Sequence, residues 1–446
     1  MRRVRIPLIF VLAMLAIPSP AVAQLASAAV TAPQAVTAEI REQARGKLKS
    51  FYAARAFAPL WTQAGRIGPE ADALLAWLAT SDIDGLKPKS FKLDKLHETL
   101  AAARSGDPRD LARAELKLSD AFARYARDMR RPPKLDMTFL DPRLKPKKPD
   151  IQAVLRAAAL PPSLAHYITS MAWMSPHYVQ QRGLAARARA SGDPEIIARS
   201  RINLDRARVL PGPFTHHIVV DAASGHLWFY QAGKQAGTMR VVVGRPETPT
   251  PMLAGMLQYA ILNPYWNIPV GLVQTLVAPR ILAGKSMRSL GYEALSDWSA
   301  DPRPVDPATI NWPSIAAGEQ ELRVRQRPGP SNSMGRVKFM FPNDDGIYLH
   351  DSPDRALFAA SDRHFSNGCI RLEDAATLGK WLLGRSIRTA ARTPEQAVPL
   401  TAPVPIYLTY FTAQDGPAGI QFRADIYNRD GKPTLPSPFK GEATRP

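Results

Sequence analysis

The chain has 446 residues, with 58 Lys and Arg against 39 Asp and Glu and a formal net charge of +19. Its length suits two or three domains, and 45% apolar with 22% charged residues excludes wholesale disorder and collagen-like repeats. One cysteine excludes an intrachain disulfide framework, a Cys-based zinc cluster and a Cys-ligated iron–sulfur cluster.

In chain order, Arg2, Arg3 and Arg5 form a positive n-region, Leu8 to Ile17 a short apolar run, and Ala21-Val22-Ala23 a small-x-small cleavage pattern. These predict a signal peptide over 1–23 with Gln24 as the mature start, and hence export to the periplasm. The apolar run is too short for a transmembrane helix, and no stop-transfer pattern follows. Of the partners a basic protein attracts, export makes nucleic acid the poorest and an acidic wall polymer or anionic lipid better. Most of the Arg read simply as solvated helical faces.

Residues 24–38 read as a flexible lead-in and 39–208 as a helical domain. Leu74, Leu75 and Leu78 share one helical face, and Leu116, Leu118, Ala121, Phe122 and Tyr125 repeat the spacing. Ser81 to Gly85 reads as a helix end and turn. Residues 131–150, with their Pro-Pro and Lys-Pro steps, read as a linker or extended strap. After Pro211-Gly212-Pro213 the character changes. Strand patterns run at His217–Asp221, Leu227–Gln231, Gly237–Val243, Leu257–Leu262, Arg336–Phe341 and Gly346–His350. The fold class is therefore α+β: an all-helical N-terminal domain, then a mostly β domain over 211–413 and a C-terminal extension over 414–446. The β pattern lapses over 270–325. That excursion reads as a lid insertion with a helical stretch at Leu272–Leu282 and two tryptophans, Trp298 and Trp312, to pack onto a cleft. The plain alternative is a surface insertion.

Cys369 sits in Ser366-Asn367-Gly368-Cys369-Ile370-Arg371. A lone Cys is usually packing material, but Gly368 allows a sharp turn before the sulfur. A helix read as starting at Asp374, together with Arg371, supplies features that lower a thiol pKa. Backbone N–H groups of Gly368, Cys369 and Asn367 offer an oxyanion hole. Of eight His, His350 ends a strand, whereas His364 is placed in a loop. A base should be held by a rigid element, which favours His350. Asp351 or a backbone carbonyl would orient it. No HExxH pattern occurs, and the adjacent His216 and His217 point to opposite faces of a strand, so no metal and no cofactor are expected.

Ile347-Tyr348-Leu349-His350-Asp351-Ser352-Pro353, twelve residues, then Ser366 to Arg371 resembles the L,D-transpeptidase (YkuD-type) catalytic signature. Asn263 to Pro269, Pro328 to Phe339, and Phe51-Tyr52 to Trp61 with Asp84-Gly85-Leu86 resemble the family's large Gram-negative branch with its helical scaffold domain. One departure is Asn367, where the family has His. Another is the lack of a clear peptidoglycan-binding module between 150 and 200.

The resemblance implies acyl transfer in cell-wall (peptidoglycan) biogenesis. Cys369 is the nucleophile, His350 the general base and acid, and peptidoglycan stem peptides are donor and acceptor. Ser366 fixes the loop, Arg371 pairs with a substrate carboxylate or holds the loop, and Tyr348 and Trp266 support the site. Carbapenem-type inhibitors are expected to acylate the thiol. Alternatives are an L,D-carboxypeptidase or cross-link hydrolase using the same thioester, attachment of an outer-membrane protein to the wall, and a non-enzymatic wall-binding scaffold with a degenerate site.

Overall fold

The structure, a computed structural model, describes residues 33–131, 133, 135–387, 393–417 and 419–431. The predicted signal peptide and residues 432–446 of the tail lie outside the described residues. The lead-in is corrected at its end: residues 33–43 are helical, with Val36 and Ile40 buried four residues apart.

The chain forms two compact units. One comprises the residues up to Arg127 with Pro149–Thr169, the other Asp128–Lys148 with the residues from Ser170 on. The helices Pro176–Ser191 and Pro194–Arg208 thus belong to the β-rich unit, although they read as part of a helical domain ending at 208. Periodicity identifies a helix but not the core it covers. Here both pack against a hairpin of strands Ala413–Gly416 and Gly419–Phe422.

In the first unit, Leu74, Leu75 and Leu78 are buried on the helix Glu70–Ala79, and Leu118, Ala121, Phe122 and Tyr125 are buried on Pro108–Met129. The expected turn closes with Gly85 at φ 71°. A fully buried carboxylate, Glu115, ties the helix to the chain around Trp61. It accepts the N–H groups of Leu60, Trp61 and Thr62 and the hydroxyls of Thr62 and Tyr52. Burial raises its pKa and these bonds lower it, burial prevailing.

The second unit is built on one large sheet. Its strands are β1 (His217–Asp221), β2 (His226–Gln231), β3 (Lys234–Gly244), β4 (Leu253–Leu262), β5 (Val337–Met340), β6 (Leu349–His350), β7 (His364–Ser366), β8 (Ile370–Leu372) and β9 (Gln396–Thr409). They run β5-β6-β8-β3-β2-β1-β9-β4, and β4 pairs again with β5, so the sheet closes on itself. Closure removes free edges. Within the expected strap, Thr138–Phe139 adds a short parallel strand beside β4.

The 270–325 excursion does not lack strands. Tyr292–Leu295, Pro304–Val305 and Arg323–Gln326 join Trp266–Ile268 in a four-stranded sheet; with two to four residues each, they are too short to show alternation. Helical turns fill 270–282 as expected. The segment has its own apolar core of Ile268, Val273, Val277, Met287, Tyr292, Ile315 and Val324. Trp312 is buried in that core, and Trp298 is 56% exposed beneath the Arg323 guanidinium. The expectation that both tryptophans pack onto a cleft is corrected.

Candidate active site

β6 and β8 are adjacent parallel strands in the register Leu349↔Ile370 and His350↔Arg371. Alternation puts Leu349 and Ile370 in the core and sends Tyr348, His350, Cys369 and Arg371 to the opposite face. The amide of Ile370 donates to the Tyr348 carbonyl at 3.0 Å, which sets Cys369 beside Tyr348. On the other side of β6, Lys338 is the antiparallel partner of His350. Two cationic residues therefore flank the imidazole in register, one on each neighbouring strand.

His350 is buried, and its Nδ1 lies 2.6 Å from the Asp351 carbonyl oxygen. A carbonyl only accepts, so Nδ1 carries the proton and Nε2 keeps its lone pair. The Asp351 carboxylate is used elsewhere, on the Arg336 amide and the Arg355 guanidinium. Burial first, and then the Arg371 charge, push the His350 pKa down to about 3. Burial likewise holds His177 near 3 and His217 near 4. Between those values and about 6.5 the unfolded chain takes up protons that the native chain refuses. These three residues therefore contribute stability above about pH 6.5, and that contribution is lost as pH falls towards 4. Ring NMR titration from pH 8 to 5.5 should find all three unprotonated throughout; protonation of any of them near pH 6.5 would contradict this.

Cys369 is half-buried, and its Sγ lies 3.6 Å from the Gly346 carbonyl. Burial pushes the thiol up to about 11, against the Tyr348 amide and hydroxyl and the Arg371 charge, which favour the thiolate. The expectation of a depressed thiol pKa is corrected. Cys369 leads into a strand, not a helix, and the helix Ala375–Leu383 starts six residues later with Asp374 as its own cap. Both shifts favour the neutral forms, thiol and imidazole.

The loop before the sulfur is tightly held. Gly368 has φ +107°, and a Cβ there would meet Ile347 at 3.0 Å. Ser366 Oγ accepts the Gly368 amide at 3.1 Å and donates to the Cys369 carbonyl at 2.6 Å. The Gly368 N–H is therefore already used, which removes it from the expected oxyanion hole. The amides of Asn367 and Cys369 make no hydrogen bond among the described residues. Their own peptide carbonyls are fixed. Ser366 O accepts the Arg245 amide at 2.9 Å and Thr248 Oγ1 at 3.2 Å, and Gly368 O accepts Thr250 Oγ1 at 2.7 Å. A planar trans peptide points its N–H opposite its C=O, so fixing these two carbonyls aims both free amides.

A family model of the L,D-transpeptidase catalytic domain matches residues 215–406, and a scaffold-domain model matches 46–183. Residues 215–406 are an L,D-transpeptidase catalytic domain of the YkuD family. A curated protein of Haemophilus influenzae, named "Putative L,D-transpeptidase", is 29% identical over 395 residues, covering 86% of this chain and 78% of its own. Solved structures share less. An L,D-transpeptidase from Mycobacterium smegmatis is 12% identical, over 43% of this chain and 58% of that one, at a TM-score of 0.22. The Ldtfm–avibactam carbamoyl enzyme is 14% identical, over 45% of this chain and 50% of that one, at a TM-score of 0.21.

Within this L,D-transpeptidase domain the structure brings together Cys369, His350, Tyr348, Arg371, Ser366, Gly368 and Asn367. Trp266, in the strand Trp266–Ile268, packs against the core of the 270–325 segment. His364 is not in a loop but in β7, paired with β3. Its ring is engaged by the Asp362 carboxylate and, at 3.0 Å, the Ala222 carbonyl. Sequence reading missed Lys338, Thr248 and Thr250. Alternation along Val337–Met340 was a usable signal for the first; nothing local marks the two threonines.

Proposed function

We propose that this protein is a periplasmic L,D-transpeptidase that cross-links peptidoglycan by cysteine acyl transfer. The supporting observation is the juxtaposition of Cys369 and a lone-pair-bearing His350 on one face of β6 and β8, beside two aimed amides, in a domain of this family. Cys369 Sγ attacks the carbonyl of the L-to-D bond in a stem tetrapeptide while His350 Nε2 takes its proton. With a thiol near 11 and an imidazole near 3, transfer accompanies attack instead of preceding it. The Asn367 and Cys369 amides meet the oxyanion. The C–N bond breaks, D-Ala leaves with the proton from His350, and a thioester remains. The side-chain amine of a second stem attacks, His350 takes its proton, and the sulfur is released and reprotonated. Arg371, whose buried Nε has no partner among the described residues, receives a stem carboxylate, while Lys338 on the other side of His350 is paired with Glu395 at 3.4 Å.

Incubating the mature protein with purified disaccharide-tetrapeptide and reading products by mass spectrometry tests the proposal. Cross-linked dimer is expected. Tripeptide alone would assign a carboxypeptidase, and no turnover would leave a wall-binding protein. A carbapenem should add one acyl group to Cys369, because the strained lactam is an acyl donor for the same thiol. An unmodified intact mass after long incubation would contradict an open, competent site.

We further propose that the 270–325 segment is a lid governing acceptor choice. It has its own core and sheet, and so can act as a body. Closing it would exclude water from the thioester. Replacement by a short Gly/Ser linker should leave Cys369 acylation intact, lower dimer and raise tripeptide. If both products fell in a folded deletion, the segment would belong to donor binding.

A further inference from the structure

The C-terminal residues beyond β9 reach the thiol loop through a chain of contacts. Asp425 folds the segment into a loop by accepting the amides of Arg429 at 2.9 Å and Asp430 at 2.6 Å. The loop is fastened at its end. The Asp430 carboxylate is paired with Arg206 at 2.7 Å and Arg199 at 3.2 Å and accepts Thr412 Oγ1 at 2.5 Å. Arg206 also donates to the Arg429 carbonyl at 2.6 Å and the Tyr410 carbonyl at 2.9 Å. The Arg206 and Asp430 side chains are each only 2% exposed, so this fastening is desolvated and costly to break.

From that anchor two side chains reach outward. The Arg429 guanidinium lies 5.3 Å from the Tyr410 ring centroid and 4.8 Å from that of Tyr427, the two rings being stacked. Its Nη2 donates to the Thr250 carbonyl at 3.0 Å. The Tyr427 hydroxyl donates to the Gly244 carbonyl. Gly244 and Thr250 are joined to each other, the Gly244 amide donating to Thr250 Oγ1 at 2.9 Å. A Cβ at Gly244 would meet the Thr248 carbonyl at 2.1 Å, so the loop closes this tightly only around glycine. This is the same loop whose Arg245, Thr248 and Thr250 fix the carbonyls of Ser366 and Gly368.

We propose that Arg423–Gly431 is a positioning strap for the oxyanion amides, with Tyr427 and Arg429 as positioning residues acting through the 244–250 loop. Arg429 holds the backbone of Thr250, Thr250 Oγ1 holds the Gly368 carbonyl, and the rigid Gly368–Cys369 peptide then aims the Cys369 N–H. Tyr427 holds Gly244 at the start of the loop, whose Arg245 and Thr248 hold Ser366 O and so aim the Asn367 N–H. Among the described residues the strap makes no hydrogen bond or ring contact with the Cys369 sulfur or the His350 ring; Tyr427 instead meets the His364 ring edge-on at 5.5 Å. It should set the electrophilic half of the site and leave the nucleophile as it is. The catalytic consequence rests on the function proposed above; the mechanical one does not.

The test uses full-length Tyr427→Phe, Arg429→Met and Arg429→Lys, with hydrogen exchange and two reactions of the single thiol. Exchange in peptides covering 244–250 and 364–372 should rise in Tyr427→Phe and Arg429→Met. Acylation by a carbapenem, which needs the oxyanion amides, should fall about tenfold or more. Alkylation by iodoacetamide, which builds no oxyanion, should stay within about twofold. Arg429→Lys should recover part of the acylation rate, since it keeps a donor near Thr250. Unchanged exchange in these peptides overturns the strap, whatever the enzyme's activity. Acylation and alkylation falling together overturns it as well, because a general loss of structure would then explain both. A wild-type protein that no carbapenem acylates would count against the function proposal, and the exchange result alone would then decide the strap.

Discussion

Cys369→Ala should abolish acyl transfer, by roughly 10⁴-fold or more, while leaving the protein folded. The reaction has no substitute nucleophile, because Cys369 is the only thiol in the chain. The fold should tolerate the change. The sulfur's long contact with the Gly346 carbonyl is weak, and the loop is held by Ser366, Thr248 and Thr250, none of which bonds the side chain of Cys369. Losing one half-buried atom costs about 1 kcal/mol, small beside a domain's stability. The check is a thermal melt together with product analysis on the tetrapeptide. Dimer formation at an undiminished rate by a normally melting variant would end the assignment. A further consequence follows from the thiol's position near pH 11. Alkylation of the wild-type cysteine should climb with pH through 9 and 10, without the neutral-pH plateau of a preformed thiolate–imidazolium pair.

The residues proposed to carry the chemistry stood out in the sequence because their signals are local. Gly368 before Cys369, and His350 at the end of a strand-forming run, are signals within a few positions, and the structure places His350 on β6 and Cys369 directly before the adjacent β8. What was misread depended on partners far along the chain. Cys369 was read as lying near a helix N-terminus because the stretch after Asp374 is helical. The intervening Ile370–Leu372 is a strand only because β6 and β3 lie on either side of it. The direction of the thiol's shift then reversed, since burial in the sheet outweighs one nearby guanidinium. The Gly368 amide was taken as free because Ser366 Oγ turns back onto it only in the folded loop. Thr250 stands 118 positions from Gly368, and Arg429 a further 179 from Thr250. No periodicity or motif reports such pairings. The fold class survived these errors because it rests on patterns summed over many residues.

His350→Gln should lower turnover by about 10³-fold, and His364→Gln by no more than a few-fold. The two imidazoles differ in what their nitrogens are free to do. His350 spends Nδ1 on the Asp351 carbonyl, which fixes the tautomer and leaves Nε2 as a base on the face that carries Cys369. His364 spends one nitrogen on Asp362 and the other on the Ala222 carbonyl, so removing it should cost stability more than rate. Glutamine keeps much of the size of histidine and can still donate, but its amide cannot accept a proton near neutrality. His350→Gln should therefore stay folded and lose the proton transfer that a thiol near pH 11 cannot do without. The pH profile separates base from bystander. Burial and Arg371 hold His350 near 3, so it remains a competent, unprotonated base down to about pH 4. The acid limb of kcat/KM should accordingly lie well below the 6.5 of an ordinary histidine. Rates for both variants on the tetrapeptide, with melts alongside, decide the matter. If His364→Gln were the slower enzyme at equal stability, or if the wild-type acid limb fell at 6.5, the base would have to be reassigned.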